Sequence, residues 1–124
     1  MHPRPATTPV GAKQQLYRSP VKTSMQRDLL VKFGHALSDP TRTEILMRLR
    51  SGPGYPTELA ESLGATRATV SNHLAELRSS GLVDVLREGR RNRYELADRR
   101  LGPLLDDVTG LMLTVGPLSI RTDS

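Results

Sequence analysis

The sequence contains no cysteine and no tryptophan, and it has a single phenylalanine. The absence of cysteine excludes disulfides, thiolate metal ligands and thiol nucleophiles. Aromatic residues make up only 3% of the chain, so we do not expect the aromatic-lined cavity that many small-molecule sites use. No apolar run approaches the roughly 18 residues of a membrane-spanning helix, and no apolar signal segment follows the first residues. From these absences we expect a soluble, cytoplasmic protein with no membrane partner.

Positive charge is concentrated near the N-terminus. The 124 residues include 18 basic and 13 acidic side chains, a net charge of +5. Residues 1–27 hold five basic residues and no acid, so residues 28–124 sum to zero. The first 23 residues also hold four of the nine prolines, a composition typical of a disordered arm. We therefore predict a disordered basic arm over 1–23, one ordered domain over 24–118 and a flexible tail over 119–124.

Hydrophobic residues at helical spacing predict five helices in the ordered domain. Asp39 and Thr66 are predicted to cap the N-termini of the second and fourth helices, because their side-chain oxygens can accept from free backbone N–H groups. Gly64 and Gly81 are predicted to end the third and fourth helices. The predicted helices span 24–38, 40 to about 51, about 57–63, 67–80 and about 99–115, where Gly116-Pro117 follows.

A β-hairpin is predicted between the fourth and fifth helices. Residues 82–86 and 93–96 have the composition of strands, and Glu88 to Arg91 supply the turn. The element order α-α-α-α-β-β-α predicts a mainly α (α+β) winged helix-turn-helix fold. The last helix is more apolar on one face than a lone surface helix needs, so we predict a homodimer through the terminal helices. The predicted interface residues are Leu101, Leu104, Leu105, Val108, Leu111 and Met112.

Two short helices joined by residues 64–66 have helix-turn-helix spacing, in which the second helix can enter the DNA major groove. If Val70, Leu74 and Leu77 face the core, short polar side chains that can read base edges lie outward near the start of that helix. An ordinary polar helix face would show the same pattern, and the charge of 57–80 does not by itself favour DNA. The predicted DNA-facing residues of this helix are Arg67, Ala68, Thr69, Ser71, Asn72 and His73.

The predicted hairpin carries the basic cluster of the ordered domain. Residues 87–93 contain four arginines and one glutamate, a net charge of +3. An arginine-rich hairpin directly after a helix-turn-helix is typical of a wing that contacts the phosphate backbone or the minor groove. A solvated turn would be the alternative interpretation. The predicted wing contacts are Arg87, Arg90, Arg91 and Arg93.

Three stretches resemble the ArsR/SmtB family of transcriptional regulators. Residues 34–42 with Ile45-Leu46 resemble the family's "ALxDPTRxxIL" opening, residues 69–74 its recognition helix, and residues 88–90 its wing. The resemblance covers about residues 27–115 and is greatest for actinobacterial metal sensors of the cadmium/lead type. It implies a dimeric winged-helix regulator that binds a palindromic operator in duplex DNA and leaves it when an effector binds.

The family's metal ligands are missing where the resemblance would place them. Two cysteine positions of the cadmium/lead pattern align with Glu76 and Ser80. In the family's zinc-type pattern Asp98 matches, but Arg100 replaces a histidine, and the later ligands are also absent. Nitrogen and oxygen donors without sulfur suit Ni²⁺, then Zn²⁺ or Co²⁺. The candidate ligands are His2, His35, Asp98, Asp106 and Asp107, and no organic cofactor is expected.

Two functional hypotheses therefore stay open at the level of the sequence. In the first, the protein is a DNA-binding regulator that responds to a divalent metal, with nickel favoured. In the second, the same module, a repressor or an activator, has no metal site and is controlled by a co-regulator protein or another effector. An enzyme is disfavoured, because the chain has no glycine-rich phosphate loop and no nucleophile–base pair at a recognisable spacing.

Overall fold

The computed structural model describes residues 23–115, in two units that divide between His35 and Ala36. The first unit holds most of helix α1 (Thr23–Leu37), and the second holds the remaining elements. Apart from Thr23, the predicted arm and tail lie outside the described residues, as does the predicted helix stop at 116–117. Among the helices of residues 23–115, none has the length and apolar character to cross a membrane.

The helices and the hairpin follow the predicted order, which confirms the mainly helical winged helix-turn-helix fold. The observed helix bounds lie within one or two residues of the predicted ones. Both strands are longer than predicted at the turn, because their pairing continues to Glu88 and Arg91. The elements after α1 are α2 (Pro40–Leu49), α3 (Pro56–Leu63), α4 (Arg67–Ser79), β1 (Val83–Glu88), β2 (Arg91–Leu96) and α5 (Leu101–Val115).

The predicted caps are present at the helix ends. The Asp39 carboxylate accepts two backbone N–H groups of the first turn of α2, at 2.8 and 3.1 Å. The Thr66 hydroxyl accepts the backbone N–H of Thr69 at 3.1 Å at the start of α4. Gly64 and Gly81 have φ angles of 65° and 85°, a left-handed conformation that glycine adopts without steric cost. Gly64 and Thr66 leave only a short turn between α3 and α4, which is the defining feature of a helix-turn-helix.

An aliphatic core lies where α2, α3 and α4 meet β1. Val70, Leu74 and Leu77 of α4 are completely buried, at the predicted spacing of i, i+4 and i+7. One stripe of α4 therefore packs inward and the rest of the helix is left to solvent. The side chains that are almost fully buried are Ile45, Leu46, Val70, Leu74, Leu77 and Val83.

The hairpin is antiparallel, with Val83 opposite Leu96 and Glu88 opposite Arg91. Only two residues, Gly89 and Arg90, remain for the turn. Gly89 has a φ of 61°, and none of the non-glycine residues between 23 and 115 has a positive φ. A positive φ at the first central position alone is the pattern of a type II′ turn, whose twist matches that of the two strands.

The loop between α2 and α3 pairs with the hairpin, which the sequence analysis did not predict. Gly54 and Tyr94 exchange two backbone hydrogen bonds, of 2.8 and 2.9 Å. A Cβ atom at position 54 would lie 3.0 Å from Leu49 Cδ2 and 3.2 Å from Leu59 Cγ. A larger residue would therefore press on the side chains of Leu49 and Leu59, because the loop backbone passes directly over the core. The pairing attaches the hairpin to the helical part of the second unit.

Helix α5 divides its apolar residues between the core and the surface. Leu101 and Leu105 are buried inside the chain itself, whereas Leu104 is exposed. The first turn of α5 packs against the end of α2, where a Cβ on Gly102 would lie 3.0 Å from Arg50 Cγ. This corrects the expectation that all six apolar residues of the stripe face a second chain: Leu101 and Leu105 belong to the core, and Val108 is half-buried. The exposed apolar residues of α5 are Leu104, Leu111, Met112, Leu113 and Val115.

Candidate nucleic-acid interface

Helix α4 presents a face of short polar side chains to solvent. The side chains lie on its first two turns, next to the positive end of the helix dipole, where anionic groups are stabilised. Hydroxyl and amide groups with one arginine can both hydrogen-bond base edges and contact phosphates. The exposed residues are Arg67, Ala68, Thr69, Ser71 and Asn72, the first five of the six predicted on this helix.

His73, the sixth, lies differently. Its half-buried ring has Nε2 3.5 Å from Asp39 Oδ2 and Nδ1 3.4 Å from Arg42 Nη1. These contacts connect α4 to the start of α2.

Arg42 is a buried polar residue that the sequence analysis did not single out. Only 7% of it is exposed. Its Nε donates to the carbonyl of Ala36 at 3.0 Å, and its Nη1 donates to Glu76 Oε1 at 2.9 Å. The sequence does indicate that Arg42 is buried, because it precedes Ile45 by three residues and so falls on the buried stripe of α2. The arginine therefore joins the end of α1 to the recognition helix.

The two positions that align with family cysteines have other partners in this chain. Glu76 accepts from Arg42, and the hydroxyl of Ser80 donates to the carbonyl of Leu77 at 2.8 Å. Over residues 23–115, no group of three or more histidine, aspartate or glutamate side chains is placed to hold a metal ion. Neither position is therefore part of a preformed metal centre within the described part of one chain.

Two of the predicted carboxylate ligands form ion pairs with arginine. Asp98 accepts from the backbone N–H of Arg100 at 2.8 Å and from its guanidinium at 2.9 and 3.1 Å. Asp106 is paired with Arg50. Both carboxylates are therefore already engaged by arginine side chains.

The three remaining ligand candidates are scattered. Asp107 is exposed on α5, and His35 is exposed on α1 in the first unit. His2 lies outside the described residues. The structure therefore does not bring the predicted ligand set together within the described part of one chain.

Arg91 is held against the start of α3. Its Nη2 donates to Glu58 Oε2 at 2.6 Å, and its guanidinium carbon lies 3.6 Å from the centroid of the Tyr55 ring. This combines an ion pair with a cation–π contact. Arg91 thus docks the wing on the helix-turn-helix.

A second contact between the wing and the helices runs through Tyr55 and Glu88. The Tyr55 hydroxyl donates to Glu88 Oε1 at 2.7 Å, and Arg93 donates to Glu88 Oε2 at 3.0 Å. The hydrogen bond to the carboxylate raises the pKa of the Tyr55 hydroxyl. The same hydrogen bond, followed by that from Arg93, lowers the pKa of Glu88. The carboxylate and the guanidinium therefore stay charged, and the wing keeps a defined orientation.

The four predicted wing arginines differ in their partners. Arg91 and Arg93 have carboxylate partners, and Arg87 donates to the carbonyl of Gly89 and to the side chain of Asn92, at 2.8 and 3.2 Å. Arg90 is exposed in the turn, and its guanidinium forms no ion pair with any carboxylate of the described chain. No carboxylate of the described residues therefore compensates the charges of Arg87 and Arg90, and Arg90 is the one that lies at the tip of the wing.

A helix-turn-helix with a polar second helix, followed by a hairpin with a basic tip, defines the winged helix-turn-helix class of DNA-binding proteins. A sequence model described as "Bacterial regulatory protein, arsR family" matches residues 39–85. The "HTH-type transcriptional regulator CmtR" of Mycobacterium tuberculosis is 47% identical over 91 residues, which cover 73% of this chain and 77% of the relative. The chain therefore belongs to the ArsR family of bacterial transcriptional regulators, which bind DNA and are not enzymes.

Solved structures agree with this assignment. The "cadmium metal-sensor CMTR" of M. tuberculosis is similar with a TM-score of 0.55 and 51% identity, over 62% of this chain and 80% of that one. A "homodimeric winged helix-turn-helix DNA-binding domain" of Mycobacterium bovis gives a TM-score of 0.67 and 31% identity, over 77% of this chain and 91% of that one. The fold is thus shared with dimeric DNA-binding domains and with a metal sensor.

Substituting Arg90 tests the wing tip. We expect Arg90→Ala to weaken binding to all duplexes alike and to reduce the slope of log K against log salt by about 0.9, the value for one phosphate contact. The slope is measured by fluorescence anisotropy between 50 and 200 mM salt, a range over which such contacts are resolved. Arg99→Ala, which removes an exposed arginine outside the wing, is the control. An unchanged slope in Arg90→Ala would remove the tip from the interface.

Acid should weaken the cap of α2. Hydrogen bonding from the Arg42 backbone N–H is the largest of the effects that hold the pKa of Asp39 below its ordinary value. A carboxylate whose pKa is lowered by folding stabilises the protein fully above its unfolded pKa of about 3.9, and this contribution is lost as pH falls below that value and through the lower folded pKa. Asp39→Asn keeps a capping oxygen but cannot titrate, so its urea midpoint should fall less than that of the wild type between pH 5 and pH 3. Asp107→Asn is the control, and parallel curves for Asp39→Asn and the wild type would contradict the assignment.

Proposed function

We propose that this protein is a sequence-specific regulator that binds duplex DNA as a homodimer, with α4 in the major groove and the wing tip on the phosphate backbone. The observation that carries the proposal is the division of α4 into a fully buried stripe and an exposed polar face. Val70, Leu74 and Leu77 hold the helix to the core. Asn72 and its neighbours are left exposed at the end of the helix that favours anions.

The docking of the wing supports the same proposal. Glu58 and Tyr55 hold the hairpin at two points, through Arg91 and Glu88 respectively. The Gly54–Tyr94 backbone pairing holds its base. A wing held at three points can place Arg90 on a phosphate at a constant distance from the bases that α4 contacts.

Exposed apolar side chains support the homodimer. On α5, Leu104, Leu111 and Met112 are each about half exposed, and on α1 so are Leu29 and Leu30. Patches of this kind on the terminal helices are typical of protein–protein interfaces. Two copies of α4 related by a two-fold axis would contact the two halves of a palindromic operator.

The direct test compares two duplexes of equal length, one from the region upstream of this gene and one with that sequence scrambled. We expect the wild-type protein to prefer the first. Asn72→Ala should reduce that preference by roughly 5- to 150-fold, because a bidentate contact from asparagine discriminates between bases by about 1–3 kcal/mol. Ser79→Ala, at the far end of the same helix, is the matched control. An Asn72 variant that keeps the full preference would show that α4 does not read this sequence through Asn72.

A metal response is the second candidate, favoured by the similarity to a protein described as a cadmium metal-sensor. This chain cannot reproduce thiolate coordination, since it has no cysteine. Histidine and carboxylate ligands would favour Ni²⁺, then Zn²⁺ or Co²⁺. The ion pairs of Asp98 with Arg100 and of Asp106 with Arg50 support the alternative, in which a co-regulator protein or another effector controls operator binding.

Metal titration distinguishes a metal response from control by a co-regulator protein or another effector. Operator binding is measured after treatment with EDTA and then with Ni²⁺, Co²⁺, Zn²⁺ and Cd²⁺ in turn. We expect Ni²⁺ to weaken binding at least tenfold, about 1.4 kcal/mol of coupling, and His35→Ala to lose this response. Asp84→Asn, a carboxylate outside the candidate set, should retain it. Operator binding that no metal changes would favour the metal-independent alternative.

A further inference from the structure

Among the described residues, Arg42 is the charged residue that is buried, and it lies in the core of the second unit. Burying an arginine is costly unless its donors are paired. Its partners come from two different parts of the chain. Ala36 and Ser38, which accept at 3.0 and 3.3 Å, precede α2, whereas Glu76, at 2.9 Å, belongs to α4. The planar guanidinium therefore fixes three acceptors in one geometry.

The acceptor on α4 lies close to the face proposed to contact DNA. Glu76 follows Asn72 by four residues, so the two side chains lie on the same side of the helix, one turn apart. Glu76 is 54% exposed while Arg42 is 8% exposed at its side chain. Arg42 therefore holds the helix from its buried side and remains out of reach of a ligand in solvent.

We propose that Arg42 is a positioning residue for operator recognition, acting through Glu76 on the rotation of α4 about its own axis. This inference rests on the proposed function, since it concerns the same helix. The apolar stripe alone permits small rotations, because aliphatic contacts have no strong directional preference. A charged hydrogen bond to Glu76 is directional and sets where Asn72 points. His73 adds a weaker contact to Arg42 from the same helix, at 3.4 Å.

The sign of one substitution tests the proposal. Glu76→Gln removes a negative charge from α4. If Glu76 acted only through its charge, the variant protein would bind all DNA more tightly than the wild type. Positioning predicts the opposite for the operator. We expect the preference for the upstream duplex over the scrambled one to fall roughly three- to tenfold, with no loss of affinity for the scrambled duplex. Glu61→Gln, which removes an exposed carboxylate from α3, controls for the change in charge.

Removing the arginine gives a second, independent comparison. Arg42→Met and Arg48→Met delete one positive charge each from α2, but Arg48 is exposed. We expect Arg42→Met to lose roughly tenfold in preference for the upstream duplex, while Arg48→Met keeps it. If the pair acts as a unit, the double variant Arg42→Met/Glu76→Gln should discriminate no worse than Arg42→Met alone. Thermal unfolding monitors whether each variant is folded, and Glu76→Gln provides the test should Arg42→Met not fold.

The outcomes separate this inference from the proposed function. The wild-type protein could prefer the upstream duplex while the Glu76→Gln variant behaves like Glu61→Gln. That result would overturn the role of Arg42 and leave the proposed function intact. A wild-type protein with no preference between the duplexes would overturn both. A reduced preference in Glu76→Gln and Arg42→Met, absent from both controls, would establish the positioning role.

Discussion

The packing of Val70, Leu74 and Leu77 into the core is the constraint on which the rest of the structure depends. These three residues of α4 are fully buried, and they hold the helix against α2, α3 and β1. Because they occupy one stripe, the other residues of the first two turns face solvent except for the half-buried His73. The same contacts that stabilise the domain therefore decide which side chains, Asn72 among them, are available to a ligand.

The positive charge of the wing serves structure as well as binding. Arg91 and Arg93 are paired with Glu58 and Glu88, so their charges are compensated inside the protein. A count of arginines in the sequence cannot show this, because Glu58 precedes Arg91 by 33 residues and reaches it only through the fold. What the wing presents outward is the smaller charge at Arg87 and Arg90.

Membership of the ArsR family leaves the effector of this chain as a separate question. The absence of cysteine changes the chemistry available at any metal site, and Asp98 and Asp106 are engaged by Arg100 and Arg50. Glu76, which the resemblance aligns with a family cysteine, instead accepts from Arg42. This carboxylate is thus already engaged by an arginine that is buried beside α4.

The sequence by itself determined the element order, the caps at Asp39 and Thr66, and the buried stripe of α4, because these depend on residues close together in the chain. Tertiary structure decided what depends on distant residues: the pairing of Gly54 with Tyr94, the carboxylate partners of the wing arginines, and the division of α5 between core and surface. Arg42 lies between the two cases. Its place on the buried stripe of α2 follows from helical spacing, but its partner on α4 is 34 residues away, and only the folded chain brings the two charges together.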